Sequence, residues 1–188
     1  KRRKGKPHSI PEHWRKLLDR VLPPIPTDDR EQEERAREEK AAALKVLAEC
    51  RMSLLVGPAG TGKTTLLSVL CGHSGISKGE VLLLAPTGKA RVRMEQLARS
   101  KGLKLRGFTI AQFLSDCERY DGTTGRYRLS TAARKSPAKT VIIDECSMLT
   151  EEMLAATLDA LQGVERLILV GDARQLPPIG AGRPFVDL

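Results

Sequence analysis

Aromatic residues are scarce: one Trp, two Tyr and three Phe make up 3% of the 188 residues. That scarcity argues against extensive stacking on bases and predicts an aliphatic core. Cys50, Cys71, Cys117 and Cys146 are widely spaced with no CxxC pair, and His8, His13 and His73 do not complete a ligand set. Neither a structural metal nor a disulfide framework is expected, and idle thiols in a reducing cytoplasm are the simpler reading. No apolar run approaches the roughly 18 residues that span a membrane. The basic start KRRKGK leads into PHSIPEHWRK and not into an apolar stretch, so no export signal and no membrane partner are expected. Internal repeats are absent too.

What is present suits one globular domain with an extension, since the chain falls within the usual domain length of about 100 to 200 residues. Hydrophobic residues make up 40% and charged residues 29%. The formal net charge is +9, a surplus that favours polyanionic partners through counterion release from phosphates. The surplus is local. Residues 87–139 hold thirteen Lys or Arg against four Asp or Glu, whereas residues 140–188 hold three against eight. The chain begins at Lys1 and ends soon after its last motif, so it is expected to be a piece of something longer.

Residues 1–27 read as a basic, Pro-containing linker or the tail of a preceding domain, with one short amphipathic helix in PEHWRKLLDRVL before PPIP stops it. A solvated, flexible end is the expectation for the basic start. Residues 28–50 predict a helix, capped by Asp, solvated early and docked late through Ala43, Leu44, Val46 and Leu47. Thereafter strands MSLLV, VLLLA, TVIID and RLILV alternate with helices over 63–71, 88–100 and 151–161. Short apolar runs without period-two polarity mark a parallel sheet buried on both faces, so residues 28–188 are predicted as a doubly wound α/β domain. TIAQFLSDCER adds a further helix, and residues 119–139 form an insertion that is either a hairpin or a mobile loop.

GPAGTGKTT, residues 57–65, carries Gly57, Gly62, Lys63 and Thr64 in the G-x-x-x-x-G-K-[ST] spacing. Such a loop cradles phosphates with backbone N–H groups, its Lys reaches the β and γ groups, and its Thr hydroxyl meets Mg²⁺. Gly57, Pro58, Ala59, Gly60, Thr61, Gly62, Lys63, Thr64 and Thr65 are therefore candidate cofactor-binding residues. TVIIDECSML delivers Asp144 and Glu145 at the carboxyl end of a buried strand, where ligands of such sheets bind. Asp144 is expected to hold Mg²⁺ with Thr64, directly or through water, and Glu145 to act as general base toward the attacking water. Cys146 and Met148 read as packing residues.

Five stretches in order resemble the superfamily 1B DNA helicases of the RecD-like family. GPAGTGKTT is similar to motif I, APTGKA (85–90) to motif Ia, TIAQFL (109–114) to motif Ib, IIDECSML to motif II, and LVGDARQLPPIGAG (169–182) to motif III. The resemblance covers about residues 40–186 and implies the first RecA-like P-loop NTPase motor domain, with a parallel sheet covered by helices on both faces. It implies ATP and Mg²⁺ as cofactors, single-stranded DNA as partner, 5′ to 3′ movement, and a second motor domain in cis beyond this chain. It also implies that Gln175 senses the γ-phosphate as a catalytic group, and that Pro86, Thr87, Gly88, Lys89, Thr109 and Gln112 hold the nucleic-acid backbone. The basic residues between motifs Ia and II, Arg91, Arg93, Lys101, Lys104 and Arg106 among them, are candidates to line that groove. Two positions depart from the family: Lys40 stands where a glutamine usually reads adenine, and Ala111 where a histidine is common. Two other readings stay open, an ATPase acting on RNA or protein and a non-catalytic nucleic-acid-binding module.

Overall fold

The structure, a computed structural model, describes residues 13–22, 29–58, 60–78, 80–100, 105–129, 138–175, 178 and 180–187. Five parallel strands form the sheet: β1 (Met52–Val56), β2 (Val81–Ala85), β3 (Arg106–Thr109), β6 (Thr140–Ile143) and β7 (Arg166–Gly171), in the order β1-β7-β6-β2-β3. Two-residue strands β4 (Tyr120–Asp121) and β5 (Arg126–Tyr127) pair antiparallel as a separate hairpin. Of the two forms open for residues 119–139, the hairpin is observed over 120–127, while residues 130–137 lie outside the described residues.

Two layers of helices cover the sheet, as expected for strands that alternate side-chain faces. Val81, Leu83, Ile142, Ile168 and Val170 face one core. This core is shared with helices α1 (Trp14–Val21), α2 (Arg30–Glu49), α3 (Lys63–Gly72), the short α4 (Ser74–Ser77) and α5 (Gly88–Ser100). Leu82, Leu84, Val141, Ile143 and Leu169 face the other, with α6 (Ile110–Asp116), α7 (Glu151–Ala160) and the short α8 (Pro184–Asp187). The central strands β2 and β6 are buried throughout, which explains why they read as unbroken apolar runs.

β1 departs from the buried strand expected of MSLLV. It pairs only with β7 among the described residues, and Met52, Leu54 and Val56 are exposed. Ser53 is buried and Leu55 packs against the first core, while the opposite face of the strand stays exposed. β3 was not expected at all: RGFT is four residues long with a glycine and an arginine, too short and too polar to register as a buried run.

The helix expected within residues 1–27 forms at α1, and it is docked where a linker would be solvated. Trp14 and Leu18 are buried in the first core, and the Trp14 ring lies 5.2 Å from that of His73. Across α1 and α2, the Arg15 guanidinium reaches Glu34 at 2.7 Å, and Arg37 bridges Asp19 at 2.7 Å and Glu33 at 2.9 Å. The far end of α2 is tied down by Arg166, buried, whose Nε and Nη2 donate to the Ala48 carbonyl at 2.9 and 2.6 Å and whose Nη1 donates to Thr140 Oγ1 at 3.0 Å. On the opposite layer, buried Arg119 donates to Asp159 at 2.7 Å and fastens the hairpin to α7.

Candidate functional site

The loop of residues 57–62 joins β1 to α3 at the carboxyl end of the sheet. Gly60 and Gly62 stand at φ +83° and +85°, a left-handed conformation that glycine adopts without steric cost. Gly62 is the residue before the first turn of α3, so the unpaired N–H groups of that helix start open onto the loop, an arrangement suited to anions. Thr61 Oγ1 donates to the Pro58 carbonyl at 2.8 Å, and Lys63 Nζ donates to the carbonyls of Gly57 and Pro58, the latter at 2.8 Å. An ammonium held by neutral carbonyls can exchange them for phosphate oxygens, which bind it more strongly.

β6 ends at Ile143, and Asp144 follows with its N–H donating to the Leu84 carbonyl at 2.9 Å. Burial pushes the Asp144 carboxyl above its ordinary range, and neighbouring Glu145 adds to that. The Glu145 backbone N–H, Lys63 and Arg93 pull the other way. Glu145 itself takes φ +53° and ψ +39°, a strained backbone for a side chain of this kind, costing about 1 kcal/mol or more. That turn leads into the 3-10 segment Cys146–Met148. Gly171 closes β7, and a Cβ there would meet the Phe185 ring at 2.7 Å, so only glycine lets α8 pack so close. The loop beyond is set by Asp172, whose Oδ1 accepts the Arg174 N–H at 3.0 Å and whose carbonyl accepts the Gln175 N–H at 3.1 Å.

Three loops thus meet around one cavity of 180 Å³, lined by Gly60, Gly62, Lys63, Thr64, Arg93, Met94, Asp144, Glu145, Gly171, Asp172 and Gln175. Of the residues expected to bind cofactor, Gly57, Pro58, Thr61 and Thr65 lie on the loop or helix without lining the cavity, and Ala59 lies outside the described residues. Lys40 is on α2 and does not line it either. Among the described residues, no group of three or more His, Cys, Asp or Glu could hold a metal. Thr64 and Asp144, both oxygen-bearing side chains, line the same cavity. That pair fits a hard cation such as Mg²⁺, which is usually held by one or two protein oxygens, substrate phosphates and water.

The residues expected to touch nucleic acid fall together at one end of the sheet. Ala85 is in register with Thr109 across β2 and β3, so residues 86–89 and 109–112 emerge side by side. Their side chains already have work. Thr87 Oγ1 accepts the Ala90 N–H at 3.2 Å, while Thr109 and Gln112 form a reciprocal capping box at the start of α6, at 3.1 Å in both directions. Gly88, Lys89 and Gln112 remain exposed.

Sequence reasoning missed three participants. Arg93, grouped there with the groove, lines the cavity beside Asp144. Asp172, within the GD dipeptide of LVGDARQLPP, lines it as well. Ser147 donates through Oγ to Gln175 Oε1 at 3.0 Å. Only the GD dipeptide carried a signal; the other two positions follow from how α5 and the 3-10 turn pack.

A family model described as an AAA domain matches residues 35–188. The RecBCD enzyme subunit RecD of Mycolicibacterium smegmatis is 34% identical over 169 residues, covering 80% of this chain and 30% of that protein. The ATP-dependent RecD2 DNA helicase of Deinococcus radiodurans is 32% identical over 151 residues, covering 80% of this chain and 19% of that one. A crystal structure of Bacteroides Pif1 bound to ssDNA matches with a TM-score of 0.52 at 22% identity, covering 80% of this chain and 34% of that chain, which supports the same α/β P-loop fold. The chain spans less than a third of the length of these curated relatives.

Proposed function

This chain belongs to the AAA domain family, as a RecD-like helicase domain of superfamily 1, and from that premise we propose that it binds and hydrolyses ATP with Mg²⁺ to drive movement along single-stranded DNA, 5′ to 3′, in the full-length protein. The observation that carries the reading is the convergence of Lys63, Thr64, Asp144, Glu145 and Gln175 on one cavity. In this reading the domain runs through residues 28–188, α1 docks against it, and a second motor domain follows in cis.

Lys63 exchanges the loop carbonyls for β- and γ-phosphate oxygens, and the N–H groups at the start of α3 orient the phosphate chain. Thr64 and Asp144 hold Mg²⁺, which when bound neutralises charge on the phosphates. Glu145, on the left-handed turn after β6, orients and deprotonates the attacking water. Gln175 reads the γ-phosphate, and Arg93 adds a positive charge on the cavity wall, a task the sequence resemblance did not assign to it. The segments Pro86, Thr87, Gly88 and Lys89, with Thr109 and Gln112, hold DNA phosphates without reading bases. The capping hydrogen bonds leave the Thr side chains as helix starts, so backbone N–H groups and Lys89 carry that contact. A cytoplasmic location and association with partner subunits, as in the RecBCD assembly named for one relative, belong to the same proposal.

The test is ATP turnover by the full-length protein with and without single-stranded DNA. Stimulation of about tenfold or more, a gain of about 1.4 kcal/mol in barrier lowering, is expected. A flat response to DNA with turnover on RNA or a protein substrate would replace the DNA motor by a remodelling ATPase. Absence of nucleotide binding would leave a binding module.

A further inference from the structure

Ser147 is buried, and its hydroxyl spans 28 residues of sequence to donate to Gln175 Oε1 at 3.0 Å. Both ends of this contact rest on fixed backbone. On one side, the Met148 and Leu149 N–H groups close the 3-10 turn onto the carbonyls of Glu145 and Cys146 at 3.0 and 3.1 Å. The buried Cys146 thiol is anchored at 3.0 Å to the Ile143 carbonyl at the end of β6. On the other side, the Gln175 N–H is held by the Asp172 carbonyl at 3.1 Å. Gln175 is exposed, and a glutamine side chain without a partner samples many rotamers, so the contact with Ser147 selects one of them.

We propose that Ser147 is a positioning residue that sets the orientation of Gln175 in the cavity and couples it to the turn carrying Glu145. The deduction rests on the nucleotide reading of the cavity. With Oε1 engaged by the hydroxyl, the carbonyl end of the amide is fixed toward Ser147, and its NH₂ group, the only donor the side chain has, is left for an acceptor elsewhere. A terminal phosphate in the cavity supplies such an acceptor. Because Ser147 lies two residues after Glu145, a pull on the amide reaches the general base through one rigid turn and needs no longer path. The hydrogen bond therefore serves the chemical step more than the affinity for nucleotide.

The experiment is a double-mutant cycle on the full-length protein, reading ATP kcat and KM in the presence of single-stranded DNA, with thermal unfolding as a check on folding. Ser147→Ala is expected to lower kcat about tenfold, as a misplaced catalytic group does, and to leave KM within about twofold of wild type. Ser147→Thr, which keeps the hydroxyl, is expected to recover most of the loss. In a Gln175→Ala background, Ser147→Ala is expected to cost nothing further. The proposal is overturned if Ser147→Ala costs as much in that background as alone, or if it raises KM with kcat unchanged. Should the extra methyl of threonine not fit, the cycle with alanine alone still decides. Failure of the nucleotide reading itself shows differently: Lys63→Ala would then leave nucleotide binding at the wild-type level, and no Ser147 variant would matter.

Discussion

Charge is used in opposite ways at the two ends of the first core. Along α1 and α2, Arg15, Asp19, Glu33, Glu34 and Arg37 satisfy one another in a continuous network, with Arg37 almost wholly buried. Around the cavity, Asp144 and Glu145 form no ion pair among the described residues, and Asp144 is held partly buried at the expense of its charged form. The first arrangement spends its charges on holding a helix in place. The second leaves its carboxylates without an ion pair, and the protein carries the cost in a raised Asp144 carboxyl and a left-handed Glu145 backbone.

Substitutions in the two regions should therefore separate function from stability. Lys63→Ala should abolish nucleotide binding, seen by titration of a fluorescent nucleotide, because no other cation in the loop can replace it. Its unfolding temperature should barely move. Glu145→Gln in the full-length protein should keep nucleotide affinity and lower turnover by about 10² to 10⁴, the usual contribution of a general base; unchanged turnover would sink the assignment. Trp14→Ala should do the reverse, destabilising by about 3 to 5 kcal/mol as other large core truncations do, with nucleotide affinity of the folded fraction intact. A change in affinity there would show that α1 is coupled to the phosphate loop through α3 and would break the separation. Arg37→Ala, expected to cost about 1 to 2 kcal/mol because Asp19 is still partly solvated, sharpens the same contrast at smaller scale. Urea titration of the two variants ranks them directly.

The cysteines give the smallest effect and a check on the core. Burial raises the Cys71 thiol to about 12 and lifts Cys146 as well. At neutral pH both stay protonated and unreactive, while exposed Cys50 should be alkylated at an ordinary rate. Rapid labelling of Cys71 in the native protein would mean that the first core opens.

Much of the site was legible because its chemistry is local in sequence. GPAGTGKTT writes loop, lysine and helix start in nine consecutive residues, and TVIIDE writes a buried strand and its two carboxylates in six. The central strands could be read for the same reason: a strand covered on both faces must be apolar at every position. β3 could not, because RGFT gains its place from pairing with Leu82–Ala85 rather than from its own composition. The docking of α1 was hidden by its neighbours. Basic and proline-rich flanks suggested a solvated segment, whereas the burial of Trp14 depended on the core that α1 shares with α2 and α3.

The sequence by itself named the groups expected to handle a phosphate and a metal, and determined that a parallel sheet would carry them at the carboxyl ends of its strands. Tertiary structure alone decided that β1 would be an edge strand, that Arg93 would face the cavity, and that residues 86–89 and 109–112 would lie side by side. It also brought Ser147 onto Gln175. Side-chain chemistry and short-range backbone preferences are properties of adjacent residues, so a motif can state them. Exposure, register and contacts across tens of residues belong to the packed whole, in which each surface is defined by whichever element covers it.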